Sequence, residues 1–246
     1  MAKEYPKANY KEYRESRNPY APKIRELELA PGPKTILVDE SSEKNRGEWR
    51  KFFARDGLLN LELGAYHGET SIHLASNAPE NLHVAIEWKF KQCYKAGKKA
   101  RDKDLENLTF LRANIARLPW VFAPGELDRV WILFPDPWSK TNQQKWRLLQ
   151  PGFFHMLGAL LKEGKELLIK TDHADYAAFI AESLQEANCF SPMDKELAAS
   201  RWALIPPTPF ERIFMRQGKQ MHSFALVRNA NPVKPPEEVQ QVLAGS

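Results

Sequence analysis

The feature that most constrains the fold is the alternation of short apolar runs with amphipathic segments through the middle of the chain. The runs with the length and composition of buried strands lie at 58–63, 82–87, 108–112, 127–134 and 166–170. The segments with helical spacing lie at 69–77, 89–103, 153–162 and 174–187. Residues 221–227 have the two-residue periodicity that is typical of an edge strand. This order predicts an α/β fold with a mainly parallel, doubly wound sheet and a C-terminal antiparallel strand.

Prolines divide the 246 residues into three predicted parts. Residues 1–35 are interrupted by prolines, and we expect them to form an N-terminal arm rich in basic and aromatic side chains. Residues 36–228 hold the alternating segments and are expected to form one α/β domain. Residues 229–246, which contain further prolines, are expected to form a C-terminal tail.

Basic side chains cluster in two segments of the chain, whose net charge is +5. The predicted helix at 89–103 is rich in lysine and has Asp102 as its single acid. The arm interleaves lysines and arginines with tyrosines. Because basic groups neutralise phosphates and aromatic rings stack on bases, both segments indicate contact with RNA. Taken alone, each segment has an equally good second explanation: a solvated face for the helix, and a simple tail for the arm.

Several classes of protein are disfavoured by composition. No apolar run reaches the roughly 18 residues of a membrane-spanning helix, and the N-terminus lacks the apolar core of a secretory signal. Cys93 and Cys189 lie far apart without metal-ligand spacing, so neither a metal site nor a disulfide framework is expected. The sequence therefore predicts a soluble, cytoplasmic protein.

Ligands of a doubly wound sheet bind beyond the carboxyl ends of its strands. The first strand carries Glu62 and turns at Gly64, and Glu87 ends the second strand, where an acid about 20 residues after a glycine turn can hold ribose hydroxyls. The G-x-G-x-x-G spacing of dinucleotide sites is missing, and Glu69 at the helix start would repel a pyrophosphate. We therefore expect a nucleoside with a neutral or cationic tail, such as S-adenosylmethionine.

The next two strands also end on polar side chains. Asn114 follows the third strand, where its amide can pair with an adenine edge or form a turn. The fourth strand runs into FPDPWSK, in which Pro135 and Pro137 restrict the backbone of Asp136. A structural turn is one interpretation of this segment, and a positioned functional carboxylate is the other.

FPDPWSK followed by KWRLLQPGFF resembles the signature of the tRNA (guanine-N7-)-methyltransferase family. LELG at 61–64, Glu87, KTD with Tyr176 after it, and TPFE at 208–211 match other segments of that family in order. The resemblance implies a Rossmann-like class I methyltransferase domain over residues 36–228. It also implies methyl transfer from S-adenosylmethionine to N7 of a guanine in the variable loop of tRNA.

The resemblance also implies roles for individual residues. S-adenosylmethionine would be bound by Glu62, Gly64, Glu87, Asn114 and Asp136. The guanine nucleotide would be bound by Lys140, Asp172, Thr208 and Glu211. Asp136 would be the catalytic residue, where cofactor and base meet. The expected partner is tRNA, the expected metal content is none, and the chain would act as a monomer or a homodimer.

The chain departs from the family pattern at two places. The family usually has G-C-G-x-G after strand one, whereas this chain has GAYHG at 64–68, with Tyr66 in place of the central glycine. After PDPWxK the family usually has a histidine and a run of arginines, whereas this chain has NQQKW at 142–146. The first departure bears on cofactor affinity and the second on contact with RNA.

The chemistry implied for this family suits a fixed carboxylate. Guanine N7 has an in-plane lone pair and no proton, so alkylation requires alignment and charge stabilisation rather than a general base. The alternatives are a non-catalytic tRNA-binding protein with Tyr66 closing a degenerate site, and a different RNA methyltransferase. An amino-group methyltransferase would carry D-P-P-W or N-P-P-Y, and an oxidoreductase would need the missing glycine spacing.

Overall fold

The computed structural model describes residues 17–244, without the side chains of residues 39 and 40. The basic and aromatic residues of the predicted arm that precede residue 17 lie outside this range. The described residues divide into two compact units, 17–123 and 124–244. We call them unit 1 and unit 2 and describe each by itself.

Unit 1 contains a parallel sheet with the strand order β1-β4-β3-β2. Its strands are β1 Ile36–Val38, β2 Leu59–Leu63, β3 Leu82–Ile86 and β4 Leu108–Arg112. Its helices are α1 Ala21–Leu29, α2 Asp39–Glu43, α3 Trp49–Phe52, α4 Glu69–Asn77, α5 Phe90–Arg101 and α6 Leu118–Val121. Because neighbouring strands run parallel, β2, β3 and β4 end side by side at one edge of the sheet.

The core of unit 1 follows from its sequence pattern. Every residue of β2, β3 and β4 is buried, as expected for strands covered on both faces. Helix α5 buries its small side chains and Phe90 and points its lysines outward. At Gly97 any β-carbon would lie 3.0 Å from Cβ of Ile36, so glycine allows α5 to approach β1 closely.

Unit 2 contains a mixed sheet with the strand order β5-β6-β8-β7. Its strands are β5 Leu127–Leu133, β6 Leu161–Thr171, β7 Phe190–Pro192 and β8 His222–Arg228. Its helices are α7 Pro151–Leu160, α8 Ala174–Ala187, α9 Lys195–Ala203, α10 Pro209–Arg216 and α11 Glu237–Ala244. Strands β5 and β6 are parallel, whereas β8 pairs antiparallel with β6 and β7.

The predicted fold class is confirmed, including the antiparallel pairing of the last strand. Strand β6 begins at Leu161, before the predicted 166, and its pairing with β5 shifts register between Leu127 and Arg129. Helix α1 lies inside the predicted arm, where Ile24 is fully buried in the core of unit 1. Helix α11 lies inside the predicted tail and buries Val239. The three-part division itself stays a prediction.

Among the described helices, none is long and apolar enough to cross a membrane.

Candidate active site

The turn after β2 leaves room for a ligand at the edge of the unit 1 sheet. Gly64 has φ +79°, and a β-carbon there would meet no atom within 4 Å. The N–H groups of Gly64 and Ala65 both donate to the carbonyl oxygen of Ile86, each over 2.9 Å, which fixes the turn against the end of β3. Gly68 is required for a different reason, because its β-carbon would lie 2.5 Å from Cζ of Phe110.

Tyr66 occupies the position at which the family usually has a glycine. Its backbone adopts φ +50°, the left-handed region that glycine favours. Its ring packs against the imidazole of His67, with 3.9 Å between the ring centroids. Burial lowers the pKa of His67, which favours the neutral ring in this contact. The turn therefore keeps a glycine-like backbone while carrying an aromatic side chain.

Glu87 is buried and joins the two loops at this edge. Its Oε2 accepts a hydrogen bond from the N–H of Tyr66 over 2.9 Å, and its Oε1 accepts one from the N–H of Lys89 over 2.7 Å. Since backbone donors on both sides fix it, the carboxylate has one orientation at the end of β3. That orientation suits the predicted ribose role, which stays a prediction.

Glu62 lies within β2 and is buried. Its Oε2 accepts hydrogen bonds from the N–H of Ser71, over 3.1 Å, and from the hydroxyl of Ser71. Burial raises the pKa of Glu62 to about 7, and the bonds from Ser71 oppose this rise. These contacts attach the first turn of α4 to β2. The structure thus gives Glu62 a structural role, and its predicted contact with the cofactor stays a prediction.

The loop after β4 shows Asn114 forming a turn. Its Oδ1 accepts from the N–H of Ala116 over 2.9 Å and caps the 3₁₀ turn Ile115–Arg117. The neighbouring Arg112 was not predicted as a site residue. Its buried guanidinium carbon lies 4.4 Å from the ring centroid of Trp88 and 4.1 Å from that of Phe90. No local motif distinguishes this arginine, because its aromatic partners come from the loop and helix after β3.

The charge of Glu69 at the start of α4 is compensated. The Nζ of Lys99, on α5, lies 3.1 Å from Oε1 of Glu69. Lys99 is exposed and Glu69 is partly exposed, so the pair contributes little to stability. The expected repulsion of a pyrophosphate by Glu69 is therefore weaker than the sequence alone indicated.

In unit 2, Asp136 lies exposed on the loop after β5. The residues Phe134 and Trp138, on either side of its prolines, have φ +53° and +44°. A left-handed conformation costs a non-glycine residue roughly 1–2 kcal/mol, so the loop geometry must be stabilised by its surroundings. The N–H of Phe134 donates to the carbonyl oxygen of Lys170 over 2.8 Å, and Nε of Arg147 donates to that of Pro137 over 3.0 Å.

Arg147 and Tyr176 support this loop from the interior of unit 2. The guanidinium carbon of Arg147 lies 5.2 Å from the ring centroid of Tyr176 and 5.0 Å from that of Phe179. The hydroxyl of Tyr176 accepts from the N–H of Leu149 over 3.3 Å, and burial raises the pKa of Tyr176 to about 12. Tyr176 is therefore a neutral structural residue, although the sequence singled it out only as part of a motif.

The predicted nucleotide-binding carboxylates of unit 2 both pair with lysines. The Nζ of Lys219 lies 2.6 Å from Oδ2 of Asp172, and the Nζ of Lys170 lies 2.8 Å from Oε1 of Glu211. Thr208 caps α10, because its Oγ1 accepts from the N–H of Glu211 over 3.0 Å. The structure thus brings Thr208 and Glu211 together at one helix N-terminus. The lysine partners were not predicted.

Lys140 belongs to a separate segment of unit 2. It is exposed and precedes the 3₁₀ turn Thr141–Trp146, and its carbonyl oxygen accepts from the N–H of Gln143 over 2.8 Å. Its predicted contact with the guanine nucleotide stays a prediction. Among the described residues, no group of three or more His, Cys, Asp or Glu side chains is placed to hold a metal ion.

Comparison with known proteins first defines the class. The solved structure of the 16S rRNA methyltransferase KamB superposes with a TM-score of 0.55 at 20% identity, and the match covers 76% of this chain and 94% of that chain. At this identity the likeness shows the fold alone, which is that of the class I methyltransferases. A family model described as "Putative methyltransferase" matches residues 56–224.

Curated relatives then define the family. The tRNA (guanine-N(7)-)-methyltransferase of Clostridioides difficile is 30% identical, over 76% of this chain and 88% of that protein. The enzyme of the same name from Prochlorococcus marinus (strain MIT 9313) is 32% identical, over 70% of this chain and 75% of that protein. The chain belongs to the tRNA (guanine-N(7)-)-methyltransferase family.

Proposed function

We propose that this protein transfers a methyl group from S-adenosylmethionine to N7 of a guanine in the variable loop of tRNA. The observation that carries the proposal is the loop at 134–138, whose constrained backbone carries the exposed carboxylate of Asp136 after β5 in a member of this family. The activity would take place in the cytoplasm. Whether the chain acts as a monomer or a homodimer stays a prediction.

The edge of unit 1 fits the cofactor chemically. The open space in front of Gly64 admits a ligand against the backbone, and Glu87 presents an oriented carboxylate to ribose hydroxyls. When bound, the cofactor supplies a methyl group on a sulfonium, which N7 attacks with its lone pair while the carbon–sulfur electron pair stays on sulfur. Glu62 acts indirectly, since it holds the first turn of α4 through Ser71.

The residues of unit 2 would hold and stabilise the guanine. Asp136 is the catalytic residue in this proposal, because a fixed negative charge stabilises the positive charge that develops on the purine. Asp172 and Glu211 can accept from the N1–H and the exocyclic amine of guanine, which adenine does not offer in the same arrangement. A nucleotide whose base binds these two carboxylates also carries a phosphate, and Lys140 or Lys219 can neutralise the charge of that phosphate.

Helix α5 supports contact with the phosphates of tRNA. Lys91, Lys95 and Lys99 are exposed and spaced by four residues, so they form one row along the helix, in which Lys99 also pairs with Glu69. A row of exposed cations at this spacing fits a polyanion. We expect the charge reversal Lys95→Glu to weaken tRNA binding and to reduce the slope of log Kd against log salt concentration.

The experiment that tests the function combines labelled S-adenosylmethionine, the full chain and an unmodified tRNA transcript. After the reaction, the RNA is treated chemically so that it breaks at N7-methylguanine. Transfer of label with cleavage at a single variable-loop guanine is the expected result. Binding of tRNA without transfer would instead support the non-catalytic alternative, and label without cleavage would support a different RNA methyltransferase.

A further inference from the structure

An unusually exposed tryptophan lies close to the Asp136 loop within unit 2. Trp146 ends the 3₁₀ turn Thr141–Trp146, and 53% of its surface is exposed. Its ring packs edge-on against Trp138, with 5.2 Å between the ring centroids and 73° between the planes. Since Trp138 follows Asp136 and Pro137 directly, this contact connects the exposed indole with the loop that carries the proposed catalytic carboxylate.

The turn that carries Trp146 is fastened to its surroundings. The Nε2 of Gln150 donates to the carbonyl oxygens of Lys145 and Arg147, over 3.1 and 2.9 Å. Arg147 in turn donates to the carbonyl oxygen of Pro137 and is itself buried. The backbone on both sides of the indole is therefore held before any partner binds, which lowers the entropic cost of ordering this segment in a complex.

A lysine lies beside this exposed ring, and another lies at the start of the same turn. The Nζ of Lys145 lies 5.3 Å from the ring centroid of Trp146, and the exposed Lys140 precedes the same turn. An aromatic face with adjacent lysines suits a nucleobase and its phosphates, since every base has a π-face and every nucleotide carries a negative charge. An apolar protein partner would gain nothing from these lysines.

We propose that Trp146 is a stacking platform for an unpaired tRNA base next to the target guanine. The inference rests on the proposed function and adds a substrate-positioning residue to it. The segment has fewer arginines than is usual for the family, so stacking replaces part of the charge contact that such residues would provide. Trp146 would thus contribute to tRNA affinity without touching the transferred methyl group.

The protein-side test compares substitutions at position 146 in the full chain. Trp146→Ala and Trp146→Leu should each raise the Kd and KM for tRNA about tenfold while kcat at saturating tRNA stays near wild type. Trp146→Phe keeps an aromatic face and should recover most of the affinity. Leu197→Ala removes another exposed apolar side chain from unit 2, on α9, and serves as the matched control. Thermal unfolding of each variant checks that it folds.

The RNA-side test uses tRNA transcripts with a single abasic position on either side of the target guanine. One such position should weaken binding to the wild-type protein about as much as Trp146→Ala does. In the Trp146→Ala variant the same abasic position should raise the Kd for tRNA almost no further, because the stacking contact is already lost. This pattern identifies the base that stacks on Trp146.

Several outcomes would overturn the inference while leaving the methyltransferase proposal intact. One is an active Trp146→Ala variant whose Kd for tRNA is within twofold of wild type, and another is Trp146→Leu binding as well as wild type. Stacking would also be contradicted if, at every abasic position, the loss of tRNA affinity simply added to the loss caused by Trp146→Ala. Self-association of the wild-type chain that Trp146→Ala abolishes would make the ring a subunit contact. A wild-type chain that binds tRNA without methylating it defeats only the proposed function.

Discussion

Four of the predicted site carboxylates are held in different ways in the two units. In unit 1, Glu62 and Glu87 accept hydrogen bonds from backbone N–H groups and a hydroxyl. In unit 2, Asp172 and Glu211 pair with lysines. Backbone and hydroxyl donors orient a carboxylate without adding an opposite charge, whereas a lysine both orients and neutralises it.

This difference indicates which ligand each unit suits. A carboxylate that backbone donors orient, such as that of Glu87, suits the hydroxyl donors of a ribose, such as the ribose of S-adenosylmethionine. A carboxylate paired with lysine suits a ligand that brings both an N–H donor and a phosphate, because each half of the pair then finds a new partner. Guanine nucleotides have both groups. Substitutions in unit 1 and in unit 2 test this difference between the two units.

The largest expected effect concerns Asp136, which is exposed in unit 2. Asp136→Asn keeps the size of the side chain and removes its charge, so kcat should fall on the order of 10²- to 10³-fold. The Kd for tRNA should change little, because stabilisation is lost mainly in the transition state. Single-turnover transfer and a binding titration measure the two quantities. A loss of tRNA binding equal to the loss of turnover would remove Asp136 from the catalytic role.

The second prediction compares the two lysine pairs of unit 2. Glu211→Gln leaves Lys170 without its carboxylate in a nearly buried position, 12% exposed, and should lower the free energy of unfolding by about 3 kcal/mol. Asp172→Asn should cost less than about 1 kcal/mol, because Lys219 is 44% exposed and can be hydrated. Urea unfolding at pH 7 measures both. Equal losses would show that burial does not distinguish the pairs.

A double variant sharpens the same prediction. Removing the cation together with the acid, as Glu211→Gln with Lys170→Met, should recover part of the stability lost in Glu211→Gln alone. The backbone N–H of Glu211 keeps its cap from Thr208 in every one of these variants, so the helix end is unchanged.

The third prediction concerns the buried acid of unit 1. The pKa of Glu62 in the folded chain is about 7, above the ordinary glutamate value of 4.5, so the folded state binds this proton more tightly than the unfolded state. The stabilisation is fully present below about pH 4.5 and is lost as the pH rises through 7, by up to about 3 kcal/mol. Glu62→Gln keeps an acceptor for Ser71, and its free energy of unfolding should not show this fall with rising pH. Unfolding by urea between pH 4.5 and 8 tests it, and parallel pH profiles would contradict it.

The sequence predicts the strands and helices whose signals are long and local. The segments 69–77, 108–112 and 174–187 agree with α4, β4 and α8 at both ends. Helices α9 and α10 and strand β7 were missed, since they lie among prolines and charges. Helix α1 was missed because its proline, which suits the first turn of a helix, suggested an extended arm.

The site could be predicted only in part, for a related physical reason. A carboxylate at the end of a strand is visible in sequence because the strand itself is visible. Its partner is not, because Lys170 and Glu211 are 41 residues apart and Asp172 and Lys219 are 47 apart. Sequence therefore indicated which side chains matter and could not indicate what balances their charge.

The smallest expected effect concerns Tyr66, where unit 1 departs from its family. The ring lies against His67, and the N–H that binds Glu87 is a backbone group that glycine also provides. Tyr66→Gly should relieve roughly 1 kcal/mol of left-handed strain and lose the ring contact of similar size. The Kd for S-adenosylmethionine should then stay within about threefold of wild type by calorimetry. A much tighter Kd would show that the ring obstructs the cofactor, and a much weaker one would show that the ring covers the cofactor.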